Sequence, residues 1–248
     1  MFLDRAGVVA KDRYENRVGL IENAPMRAGN DRNARGRNKG RVEAAIVKQR
    51  FGEIVQRRAR GKFTVFRKAF QKLRWQPAIR TVPPYHDDPA YIEGLAASVK
   101  NHLATLDWEP EMLITSFHGI PQSYFKKGDP YYCHCQKTAR LLRQALGRTD
   151  KNFMITFQSR FGPEEWLQPY TDKTMEKLAS EGFKRIAVMN PGFVSDCLET
   201  LEEIAGEAGE IFLHHGGEKF THIPCLNDSA EGMNVLEEVV RRELQGWV

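Results

Sequence analysis

His118 lies in the stretch Ser116-Phe117-His118-Gly119-Ile120-Pro121, directly after the apolar run Met112-Leu113-Ile114-Thr115. The run reads as a buried strand ending near residue 116, with His118 two residues beyond it. Open α/β sheets present reactive groups at that carboxyl end. An imidazole there can accept a proton near neutral pH or ligate a metal. The plainer alternative is a histidine that only satisfies the backbone of a strand-end loop. Two further polar clusters, Gln158-Ser159-Arg160-Phe161-Gly162-Pro163 and Asn190-Pro191-Gly192-Phe193, also follow apolar runs. In the motif from Asp196 to Ile204, Asp196, Glu199 and Glu203 recur at i, i+3 and i+7 on one helical face, while Leu198, Leu201 and Ile204 cover another. Such carboxylates are either a solvated acidic face near a helix N-terminus or oxygen ligands that hand a hard divalent cation inward.

The elements needed to position these groups follow from periodicity and caps. Asp87-Asp88-Pro89 opens a helix whose apolar face is Ile92, Leu95, Ala96, Val99 and Leu103. Helices are also expected from His134 to Leu146, from a Thr171-Asp172 cap to Gly182, from Ser195 to Ala208, and from an Asp228 or Ser229 cap to Leu244. Strands are expected at 112–116, 153–157, 185–189 and 211–213. Their alternation with helices predicts an α/β fold, a Rossmann-like parallel sheet with helices on both faces. All carboxyl ends then share one edge, so the three polar clusters meet in one crevice.

Composition bounds the class. In 248 residues, 41% apolar and 10% aromatic side chains suffice for a core. No apolar run approaches a membrane span and the first residues lack a secretory signal, so a cytoplasmic setting without a transmembrane segment is expected. Residues 1–66 carry 16 Lys and Arg against 7 Asp and Glu, and the remainder 21 against 25. The basic segment, rich in Arg, Gly and Asn, is expected to be poorly ordered, with one short helix between Val42 and Val55. Charge asymmetry of this kind is compatible with a nucleic-acid-binding arm, but the segment lacks interleaved aromatics and any nucleic-acid motif, so no specific nucleic acid is expected.

The ordered set of Ser116 to Pro121, Gly128-Asp129-Pro130-Tyr131, Phe157 to Pro163 with Trp166-Leu167, Pro191-Gly192-Phe193 and Asp196 to Leu201 resembles the ferrochelatase family, with wording most similar to proteobacterial members. The resemblance runs from about Arg67 to the C-terminus. It implies a chelatase-like fold and insertion of Fe²⁺ into protoporphyrin IX to give protoheme, with porphyrin and ferrous iron as partners and peripheral membrane contact as an option. It also implies that His118 is the essential histidine and Glu199 its partner, both near the metal, with Asp196 and Glu203 continuing the acidic side. Phe193 and Trp166 would border the macrocycle, and Ser116 and Gln158 would be polar substrate contacts. Cys197 stands where some members have histidine. Cys133, Cys135, Cys197 and Cys225 match the number of thiolates of the [2Fe–2S] cluster that some members carry; the alternative is ordinary buried thiols.

The same resemblance implies two similar α/β halves around the porphyrin, of which this chain matches the second. Residues 1–66 match nothing in the first half, and we expect them to derive from another reading frame or start, leaving 67–248 as the ferrochelatase-type domain. With half the pocket missing, the expectation for the isolated chain is weak or absent insertion, or a non-catalytic porphyrin-binding remnant.

Overall fold

The computed structural model describes residues 71–75 and 80–247. The expected basic segment and its Val42–Val55 helix lie outside the described residues. Helix α1 (Pro89–Leu103) starts where Asp88 accepts the Ala90 N–H at 3.0 Å, with Pro89 in the first turn. Strand β1 (Met112–His118) leads through α2 (Gln122–Lys126) to α3 (Tyr131–Ala145), β2 (Phe153–Gln158), α4 (Thr171–Ser180) and β3 (Arg185–Met189). A continuous helical stretch follows: α5 (Leu198–Thr200), a π-helical segment (Leu201–Ala208) and α6 (Gly209–His214). It leads to β4 (Lys219–Ile223) and α7 (Ala230–Leu244), which Ser229 caps.

All strand pairs are parallel, in the order β2-β1-β3-β4. The chain steps from β1 outward to β2 and then crosses back to β3 on the other side of β1. The β1/β3 boundary is therefore the switch point of the sheet, where a ligand crevice is expected. Residue parity divides the strands between two cores. Leu113, Phe117, Phe153, Phe157, Ala187 and Met189 pack with α1, α3 and α7. Met112, Ile114, Ile186 and Val188 pack with α4 and the helical stretch through Met175, Leu178, Ile204 and Phe212. Ser116, His118 and Gln158 share the parity of this second set, so they stand on the sheet face that the acidic segment covers.

Four expectations are corrected. Ile211-Phe212-Leu213 is helical, and the fourth strand is Lys219–Ile223. Phe212 continues the buried line Ile204–Ala208–Phe212 at intervals of four, so the apolar triplet serves a helix core. The second correction is His118 itself, the last residue of β1 and the register partner of Gln158. Helix α3 begins at Tyr131 rather than His134, because Asp129 accepts the Tyr131 N–H at 2.9 Å. Finally, Thr171 does not cap α4; Tyr170 is the cap residue, and the Thr171 hydroxyl turns inward to Ser116 and Thr156.

Candidate functional site

The β1 end is fixed from both sides. The Gly119 N–H donates to the Gln158 carbonyl at 2.7 Å, extending the β1/β2 ladder past His118. A Cβ on Gly119 would stand 2.8 Å from that carbonyl oxygen and 3.2 Å from the Trp166 ring, so only glycine lets the strand ends approach this closely. The Tyr131 hydroxyl donates to the His118 carbonyl at 2.8 Å. His118 is 9% exposed, and its Nδ1 lies 2.6 Å from the Gly119 carbonyl. A carbonyl only accepts, so Nδ1 carries a proton, and in the neutral tautomer this fixes, the lone pair is on Nε2. The Phe193 ring, itself nearly buried, lies 6.5 Å away, centroid to centroid.

Gln158 is the hub of the site. Its Oε1 accepts from Ser116 Oγ at 2.8 Å and from Asn190 Nδ2 at 2.6 Å. Its Nε2 donates to the Glu199 carbonyl at 2.6 Å and lies 3.5 Å from a Glu203 carboxylate oxygen. His118 and Glu199 are thus both anchored on one residue, the first through strand register and the second through a side-chain amide. Ser159 follows with φ of 63°. Its N–H donates to Glu203 Oε1 at 2.6 Å and its hydroxyl to Oε2. A non-glycine residue in this conformation is uncommon and marks a position the surroundings enforce.

Of the three acidic residues expected on one helical face, only Glu199 and Glu203 belong to the helix. Asp196 precedes it and joins the loop after β3 to the loop after β4. Its carboxylate accepts from Asn227 Nδ2 at 2.6 Å, Thr200 Oγ1 at 3.0 Å and the Cys225 N–H at 3.2 Å. Burial works against ionisation of Asp196, but the bonds from Asn227, Cys225 and Thr200 outweigh it and hold the carboxyl below its usual range. The π-helical turn shifts the face again. Leu198 and Leu201, expected to cover an apolar face, are 67% and 52% exposed, whereas Ile204 is buried. With exposed Phe161, these leucines belong to the apolar residues of the loops and helix that follow the strand ends.

The polar and aromatic candidates take positions of different kinds. Ser116 is wholly buried and its hydroxyl is engaged by Gln158 and Thr171, which makes it a support within the strand layer. The Trp166 indole donates to the Phe161 carbonyl at 2.9 Å and packs beside Gly119. Arg160 forms a two-pronged ion pair with Asp172 at 2.8 and 2.7 Å and lies over the Tyr170 ring, fixing the loop after β2. Residue type alone does not single out Asn190, Ser159 or His222. Ser159 and Asn190 lie within strand-end clusters of the sequence, whereas His222 sits inside β4, which the sequence does not reveal, and carries no such signal.

The thiols do not form a cluster site. Cys135 is buried among core side chains of α3, while Cys133 is exposed on the same helix. Among the described residues, no three His, Cys, Asp or Glu side chains are grouped so as to hold a metal ion. Burial pushes the Cys135 and Cys225 thiols far up. The Cys197 thiol is pushed up to about 11 by burial, with Glu199 adding to it. At neutral pH Cys197 is therefore protonated, and its Sγ–H donates to Glu199 Oε2 at 2.9 Å. These residues do not fit a [2Fe–2S] cluster. Among the described residues, no helix is long and apolar enough to cross a membrane.

The chain is similar to proteins of one known family. The family model for ferrochelatase matches residues 59–244, beginning ahead of the Arg67 boundary read from sequence. Over 188 residues, 75% of this chain, the sequence is 93% identical to a ferrochelatase of Agrobacterium fabrum and covers 55% of that protein. With the same coverage it is 76% identical to a ferrochelatase of Rhizobium leguminosarum bv. trifolii. It is 73% identical to a ferrochelatase of Rhizobium meliloti, covering 56% of it. The chain spans about half the length of the curated relatives it matches. It belongs to the ferrochelatase family.

Proposed function

We propose that this chain carries the proton-accepting and acidic sides of a ferrochelatase site, in which Fe²⁺ enters protoporphyrin IX to give protoheme. The observation that carries this reading is the pairing of the His118 tautomer with the Gln158-anchored acidic segment. Metal insertion requires removal of two pyrrole protons while a cation loses its ligands to the ring nitrogens. The Gly119 carbonyl fixes the proton on Nδ1, so Nε2 of His118 is the atom available to take a pyrrole proton. Glu199 and Glu203 supply carboxylate oxygens, which bind a hard divalent ion more weakly than a set of nitrogen donors does and so release it. Phe193 offers an aromatic wall beside the imidazole, and apolar walls favour a ring bent towards the insertion geometry.

The α/β domain of residues 67–248 carries this chemistry in our reading, and residues 1–66 stand outside it. Four free thiols go with a reducing, cytoplasmic setting. Exposed Phe161, Leu198 and Leu201 suit contact with the macrocycle or with a membrane surface. Because the chain covers 55% of a 93% identical relative, a second reading is kept: binding of the porphyrin without turnover.

One titration separates the two. The purified chain is mixed with protoporphyrin IX, without metal and then with Fe²⁺ or Zn²⁺ under anaerobic conditions, and the porphyrin bands are followed. Slow insertion that His118→Ala abolishes, with porphyrin binding kept, supports the site as assigned. Binding without insertion selects the second reading, and the absence of binding defeats both.

A further inference from the structure

One hydrogen-bond chain runs across the sheet from the edge strand β4 to the acidic segment, and its direction is settled by acceptor-only groups. Asn190 Nδ2 contacts the Ser116 carbonyl at 3.2 Å and Gln158 Oε1 at 2.6 Å. A carbonyl cannot donate, so this atom is the amide nitrogen, and Gln158 Oε1 is the accepting end of its amide. Gln158 Nε2 then faces the Glu199 carbonyl and the Glu203 carboxylate, which also only accept. Asn190 Oδ1 must accept in turn, and its partner is His222 Nε2 at 2.9 Å. His222 therefore donates from Nε2. Burial favours its neutral form, against the nearby Asp196 charge and with His102 acting in the same sense as burial. Each link permits a single orientation: reversing either amide places oxygen against oxygen, and an unprotonated His222 Nε2 would set a lone pair against Asn190 Oδ1.

We propose that Asn190 and His222 are positioning residues: by fixing the direction of the Gln158 amide they hold the Glu199–Glu203 turn at the crevice. The inference rests on the reading of Glu199 and Glu203 as the acidic side of the insertion site. In that reading neither residue contacts substrate. The relay starts on β4, passes through the residue that follows β3, and ends on the residue that closes β2. It ties three of the four strands to the acidic segment.

The test follows hydrogen exchange of the Gln158 side-chain NH₂ group by NMR in the full chain, alongside metal insertion by the same samples. His222→Leu removes the donor to Asn190 and is expected to raise that exchange about tenfold, the effect of one ordinary hydrogen bond. His222→Gln brings an amide nitrogen to the Nε2 position and restores protection, which a space-filling role would not require.

Asn190→Asp keeps the shape and makes the relay titratable. The new carboxyl faces Gln158 Oε1 and the Ser116 carbonyl, with His222 on its β4 side and Glu203 beyond Gln158, and burial among acceptors raises its pKa. Protonated, it donates like asparagine. As pH rises through that pKa the donor is lost, and Gln158 exchange rises above wild type, which has no such step.

Where the chain inserts metal, kcat falls in step with lost protection while KM for porphyrin stays. Unchanged exchange in folded His222→Leu and Asn190→Asp overturns the relay. So does altered exchange with unaltered insertion. If the wild-type chain binds porphyrin but inserts no metal, the functional reading fails by itself, and the exchange data still decide the relay. If Asn190→Asp does not fold, the His222 pair decides it.

Discussion

Ser159 grips Glu203 with two donors from one residue: its N–H reaches Oε1 at 2.6 Å and its hydroxyl reaches Oε2. The backbone at Ser159, from which both donors aim at this carboxylate, is left-handed, with φ of 63°. That conformation costs a non-glycine residue about 1 kcal/mol or somewhat more. Ser159→Ala keeps the cost and loses the hydroxyl bond, so it should destabilise the domain by about 1.5–3 kcal/mol, the range for a bond to a charged group. Ser159→Gly loses the same bond but relieves the backbone, and it should be the milder of the two. Urea unfolding of both variants checks the order.

Gly119→Ala should be among the most damaging single-methyl changes in the domain. The added Cβ meets the Gln158 carbonyl oxygen at 2.8 Å, and a paired backbone group cannot swing aside as a side-chain end can. The expected cost is about 1–3 kcal/mol, the range for overpacking. Because the strand ends must separate, insertion should fall more than stability alone explains. Comparing kcat with the unfolding midpoint tests this.

Stability should fall in two stages on acidification. Burial lowers the pKa of His86, His102 and His222, against nearby charges where they oppose it. A histidine with a depressed folded pKa contributes stability that is fully present above its unfolded value, about 6.5, and is lost as pH falls through the folded value. The first decline therefore begins below neutrality. Asp196, held below its ordinary range, contributes stability above about pH 4 that is lost at lower pH. Asn227→Ala removes one of its main donors and should shrink the second stage while leaving the first. Denaturant unfolding between neutral and acid pH checks both.

Cys197 acts in this structure as a hydrogen-bond donor, its thiol held up to about 11 and directed at Glu199. Cys197→Ser should keep a donor there, whereas Cys197→Ala should let the Glu199 carboxylate swing free and slow insertion by about threefold to tenfold. Equal rates in the two variants would count against a positioning role for the thiol.

Much of the positioning frame was legible in sequence, and its gaps have physical causes. Asp88-Pro89 and Ser229 mark helix starts because capping is local chemistry, readable in a few residues. The same logic applied to Asp129-Pro130 would have placed the start of α3 correctly. The fourth strand was misread because Ile211-Phe212-Leu213 is apolar in a way that suits either period, and only packing against Met112 and Ile186 decides for helix. The true strand, Lys219–Ile223, is an edge strand with polar residues on it, and that weakens its signal. His118, Glu199 and Gln158 stood out by type and place. The task of Gln158 did not, because a hydrogen-bond hub is defined by partners 32 to 45 residues away along the chain. Asp196 shares a helical spacing with Glu199 on paper, yet the cap at Cys197 and the π-helical turn take it off that face.

Gln158 takes hold of Glu199 by its main-chain carbonyl, not by its carboxylate. Every residue type has that carbonyl, so the identity of the side chain at 199 can change while the grip on the chain persists. Scaffold and reagent are thereby separable at this position. On the proposed function, exchanging Glu199 for aspartate, histidine or cysteine would alter the atoms offered to a cation without dismantling the frame that presents them. In that reading, an altered choice of metal would be accessible through one codon.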